Sequence, residues 1–165
     1  MKRLTIGVHA CTEILALLIT FAWADGKLHQ REKEGVRGAA KILNLPKNLR
    51  DRIENLMEKP VPLDQLLLDD LSTRDKAFAF IAATWMTNVD DDVDEKEEHM
   101  VDELAERLGF GEAHERELIQ HARDLEHLRK SKDKTQWAEE LTTLFRAIPP
   151  RLEEIKEGDV EVVFE

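Results

Sequence analysis

LLITFAWADGKLHQREKEGVRGAAKILNLP at residues 17–46 and AATWMTNVDDDVDEKEEHMVDELAERLGFG at residues 82–111 are one pattern written twice, 65 positions apart and without a gap. Asp25, Glu32, Val36, Ala40 and Leu43 in the first stretch recur as Asp90, Glu97, Val101, Ala105 and Leu108 in the second. Five identities in thirty are few. Their spacing matters more: positions 28, 32, 36, 39, 40 and 43, and likewise 93, 97, 101, 104, 105 and 108, advance by threes and fours, the step of one helix face. Each copy therefore reads as an apolar helix, an acidic loop and a second, amphipathic helix that carries one inward-facing Glu.

Working outward, each copy reads as four helices. The first runs from about Val8 to Ala22, and its counterpart from about Thr73 to Thr87, where Ser72 or Thr73 supplies the N-cap and Asp75 suits the positive helix end. Second helices fall near 30–43 and 95–108 and end at Asn44 to Pro46 and at Gly109 to Gly111. Third helices are expected over 47–58 and 112–129, and shorter fourth helices near 62–70 and 135–146, with Pro149 and Pro150 closing the regular part. The expectation is an all-α bundle of about eight helices, built from two pseudo-twofold related four-helix repeats (8–70 and 73–146) within one domain, 1–147. A tail, 148–165, follows; its charge and Val alternation leaves open a mobile end, a short strand against a partner or a remnant.

Composition agrees. Of 165 residues, 42% are hydrophobic and 36% charged, with seven Gly, five Pro and no Tyr, so strand signals are nearly absent and one bundle can bury a core. The net charge of −11 disfavours phosphate backbones and anionic membrane surfaces, and points to cations or to proteins with basic surfaces as partners. A single cysteine, Cys11, cannot form an internal bridge, and a reducing cytoplasm is the expected compartment. Lys2, Arg3 and the apolar run to Ala24 imitate a secretory signal, but His9 and Glu13 interrupt it and residues 14–24 match those at 79–89, so the segment belongs to the fold. The longest apolar run is also too short to span a bilayer.

The chemistry is concentrated in the loops. Glu32 and Glu97 lie on buried stripes, where a carboxylate must be paired, hydrogen-bonded or bound to a cation. Asp94 and Glu97 make a capping box, a structural role; at the matching cap position His29 is a poorer acceptor, yet Glu32 is retained. The sharper reading is a site for Ca²⁺, Mg²⁺ or Mn²⁺, with Asp25, Glu32, Asp90, Asp92, Asp94 and Glu97 as its donors. Seven carboxylates stand within residues 90–98, whereas Lys27, Arg31 and Lys33 dilute the first loop. An EF-hand fails at Glu95, where Gly is needed, and at Val101, where a bidentate Glu is needed. His121, Asp124 and His127, with Glu117 a turn earlier, share a helix face but make a thin ligand set, and no paired Glu-x-x-His of the di-iron bundles occurs. No phosphate loop or nucleophile elbow is present, and Cys11 has no base nearby in sequence; no catalytic residue and no enzyme activity are expected.

The apolar helix followed by Ala24, Asp25, Gly26, a hydrophobic residue at 28, Glu32 and then Ile42, Leu43, Asn44, Leu45 resembles the tellurite-resistance TerB-like family. Asn88 to Glu97 with Leu104 to Phe110 resembles that family's second half, although Asp91 stands where Gly is common. The resemblance implies an all-helical pseudo-twofold bundle, alone or fused to other domains in bacterial stress systems, without catalytic activity. It further implies that Asp25, Glu32, Asp90 and Glu97 are signature acids, for which metal binding has been proposed. Two functions follow as expectations: a non-enzymatic module of tellurite, metal-ion or general stress response whose loops bind a divalent cation, or a protein-interaction scaffold whose acids only cap helices.

Overall fold

The computed structural model describes residues 2–23, 26–87, 95–129, 136–156 and 158–165, with backbone alone at 95–97. Seven α-helices and two short strands lie among them: β1 (Lys2–Ile6), α1 (Val8–Ala22), α2 (Gln30–Ile42), α3 (Lys47–Leu56), α4 (Thr73–Thr87), α5 (Glu95–Leu108), α6 (Glu112–Asp124), α7 (Trp137–Leu152) and β2 (Val160–Phe164). The chain is an all-α bundle with one small parallel β pair.

The helix starts keep the spacing of the sequence pattern. α1 and α4 start and end 65 residues apart, α2 and α5 start 65 apart, and so do α3 and α6. α2 and α5 also stop in the same way. Asn44 (φ 58°) and Gly109 (φ 82°) take the left-handed conformation, and the next amide reaches back five residues, Leu45 to Ala40 at 3.1 Å and Phe110 to Ala105 at 2.9 Å. This Schellman closure satisfies carbonyls that would otherwise face nothing, and it turns the chain sharply into the following helix.

α1 and α4 pack against each other at the centre and are apolar on nearly every side, as a helix surrounded by others must be. α3 lies on α1, α6 on α4, and α7 against both α2 and α4. Trp85, Trp137, Phe78, Phe80 and Phe145 are fully buried, and Phe78 meets Phe145 edge to face at 5.1 Å between centroids. In and beside α2 and α5, Leu28, Val36, Ala39, Ala40 and Leu43, and Val101, Leu104, Ala105 and Leu108, face inward as their spacing requires. Ser72 is the cap of α4, its Oγ accepting the Asp75 amide at 3.1 Å. Among the described residues no helix is long and apolar enough to cross a membrane.

Four expectations need correction. The helix expected near 62–70 is instead a pair of 3₁₀ turns, Leu63–Gln65 and Leu68–Asp70. Leu66 between them is extended (ψ 151°), and the Leu67 amide, which a helix would use internally, donates to Glu13 Oε2 at 3.0 Å. The helix expected over 112–129 stops at Asp124 and gives way to a 3₁₀ turn, Glu126–Leu128, because the Leu125 carbonyl turns to accept the Trp85 indole N–H at 2.9 Å. The last helix runs past residue 146 through both prolines. Their missing N–H groups leave carbonyls a turn earlier unserved, but the Pro149 and Pro150 carbonyls accept the Glu153 and Ile155 amides at 3.1 and 2.9 Å and close the helix. Finally, the chain's end is a strand paired within the chain: β2 runs parallel to β1 with Leu4 opposite Val162 and Ile6 opposite Phe164. Seven helices, not about eight, are therefore present among the described residues.

Candidate functional site

The first loop rises from the end of α1. Gly26 (φ 87°) turns the chain, its amide bonded to the Trp23 carbonyl at 2.8 Å, and His29 in extended conformation opens α2. Glu32, in the first turn of α2, is only 2% exposed, and its Oε1 accepts the His29 amide at 3.1 Å. That is the returning half of a capping box, and it places a carboxylate at the positive end of the helix dipole, where negative charge is favoured. Of the six acids proposed as cation ligands, Glu32 is the one whose side chain is described. Asp25, Asp90, Asp92 and Asp94, and the side chain of Glu97, lie outside the described residues; the Glu97 backbone falls in the first turn of α5.

Among the described residues no group of three or more His, Cys, Asp or Glu is arranged to hold a metal. The histidine face of α6 serves another purpose. Arg151 of α7 donates its Nε–H to His121 Nδ1 at 2.8 Å and pairs with the Asp124 carboxylate, while His127 Nδ1 lies 3.0 Å from the Asp124 carbonyl. Through His121 and Asp124, Arg151 ties α6 to α7.

Sequence reasoning passed over two features. Glu13 of α1, treated there only as an interruption of the apolar run, is 6% exposed; both its oxygens are held by Arg52 of α3, and Oε2 also accepts the Leu67 amide. The signal was a charge inside an otherwise apolar helix, which has to be paired. The second feature is a cleft of ≈ 270 Å³ between α4, α5 and α6, lined by Thr84, Thr87, Glu98, Val101, Asp102, Ile119 and Arg123. It carries charges of both signs, Glu98 and Asp102 against Arg123.

Cys11 is buried among core residues, and burial, reinforced by the Asp75 carboxylate, pushes its thiol up to about 12. At pH 8 only about one molecule in ten thousand would carry the thiolate. Native protein should therefore resist a disulfide reagent such as Ellman's, reacting stoichiometrically only in denaturant. Labelling of the native chain within minutes would contradict this placement.

The described residues form an all-helical bundle in which Glu13 and Glu32 are held by hydrogen bonds within the fold. The family model described as a protein of unknown function (DUF533) matches residues 8–122, and the chain belongs to that family. The matched stretch starts with α1 and ends within α6, so it takes in both copies of the repeat and leaves β1, α7 and β2 outside. No curated protein and no solved structure matches the chain.

Proposed function

We propose that the chain is a non-enzymatic, TerB-like helical module of the bacterial cytoplasm that acts in stress response by docking other proteins, with its loop acids serving to close helices. The observation that carries this reading is Glu32: a carboxylate 2% exposed, placed at a helix start and bonded to the amide it would cap. A second reading is that the loops take up a divalent cation. It rests on the seven carboxylates within residues 90–98, whose mutual repulsion a bound Ca²⁺, Mg²⁺ or Mn²⁺ would relieve.

Glu32→Gln separates the two. A glutamine oxygen still accepts the His29 amide, so the cap reading expects a loss of about 1 kcal/mol or less in denaturant unfolding, equal with and without EDTA. A loss of about 3 kcal/mol that appears only when a divalent ion is present would favour the cation reading instead.

A further inference from the structure

Between α2 and α3 lies a groove of ≈ 320 Å³ floored by Ala40 and Ile53, and its rim carries Arg37, Lys41, Lys47 and Arg50 beside Asp51 and Glu54. This is a basic island on a chain of net charge −11. Moving each cation on by the repeat distance of 65 lands on Asp102, Glu106, Glu112 and Glu115 in the α5–α6 hairpin, with Ala105 and Leu118 for the floor. All four positive positions on this rim are negative at the matching places of the other hairpin. The two hairpins share helix starts, a left-handed residue at the matching position and the same closing hydrogen bond.

Both rims face solvent. Seven of the eight residues are exposed and Glu115 is half-buried. Their recorded ion pairs stay within each hairpin, Arg37 with Glu54 at 2.6 Å, Lys47 with Asp51 at 3.3 Å and Glu112 with Arg116 at 2.7 Å. Lys41 and Arg50 have no ion pair among the described residues. On the acidic side, partial burial, a hydrogen bond with Asp102 and repulsion from Asp102 and Glu112 hold the Glu115 carboxyl above its ordinary range.

We propose that the basic α2–α3 face of one copy docks on the acidic α5–α6 face of a second copy, so that the chain associates head to tail. Two hairpins of like backbone and opposite charge supply what such an interface needs in steering and register. The contact joins two different surfaces, so it either closes a ring or extends with concentration. It goes beyond the module reading and depends on neither the cap nor the cation role of the loops.

The test is sedimentation velocity of the full chain in EDTA, which keeps loop cations out, at about 20 mM and about 500 mM salt. Wild type is expected to associate at low salt and to dissociate at high salt. Lys41→Glu/Arg50→Glu, with two acidic faces, and Glu106→Lys/Glu115→Lys, with two basic faces, should each lose at least about tenfold in affinity alone. Mixed in equal amounts they should associate again. Circular dichroism confirms that both variants are folded. The proposal is overturned if wild type stays monomeric at low salt up to about 1 mM, if either variant alone associates like wild type, or if the folded variants fail to combine.

Discussion

Replacing Arg52 with Met is expected to lower stability by about 3 kcal/mol, toward the lower end of what removing one partner of a buried ion pair costs because Arg52 itself keeps 28% of its side chain exposed. The loss does not come from the ion pair's own strength. It comes from Glu13, 6% exposed on α1, which would be left as a buried carboxylate with only the Leu67 amide to answer it. For a chain of this length the melting temperature should fall by roughly 10 °C. Glu13→Leu combined with Arg52→Met should recover most of that, leaving about 1 kcal/mol for the orphaned Leu67 amide. If Arg52→Met unfolds within about 0.5 kcal/mol of wild type, the pair is a surface contact and its place in the fold is misassigned.

The second large effect reverses the usual helix rule. Gly35 and Gly38 sit inside α2, where alanine would ordinarily raise stability by about 1 kcal/mol each. Here α7 approaches too closely: a Cβ on Gly35 would stand 2.5 Å from Trp137 Cβ, and one on Gly38 would stand 2.7 Å from Ala138 Cβ. These neighbours are the first atoms of side chains on a helix, not flexible ends, so the helices themselves must part. Gly35→Ala/Gly38→Ala should therefore lose about 2–4 kcal/mol net, with the melting temperature falling by roughly 5–15 °C. Stabilisation by the double variant would show that α2 and α7 do not pack at this distance. The second repeat makes the point from the other side, since Met100 and Glu103 stand at the equivalent places in α5.

What could be read from sequence was what neighbours in sequence decide. The bounds of α1 and α4 and the starts of α2, α3, α5 and α6 follow from three- and four-residue spacing, from Ser72 as a cap and from breaks at Asn44 and Gly109, all of them local. The burial of Glu32 was legible for the same reason. What could not be read depends on distant parts of the chain. β1 and β2 are five residues each and pair across nearly the whole length of the protein, so neither shows a pattern by itself. Residues 62–70 carry leucines at helical steps but lose their helix to Glu13, 54 residues away from the Leu67 amide it accepts. Pro149 and Pro150 looked like an ending, yet packing of α7 carries the helix through them. The two glycines of α2 gave no sign of α7, and the charge reversal between hairpins emerges only when the helices are laid in register.

The claim that the loop acids are structural is tested most directly by melting the EDTA-treated protein and then adding Ca²⁺, Mg²⁺ or Mn²⁺ singly, for wild type and for Asp90→Asn/Asp92→Asn/Glu97→Gln. A site filled a hundredfold above its dissociation constant would add about 2.7 kcal/mol, roughly 5–10 °C. The account predicts that no ion moves wild type by more than about 2 °C, within what surface screening supplies. An ion that raises wild type by 5–10 °C and leaves the variant unmoved would contradict it and make the acidic loops a cation site.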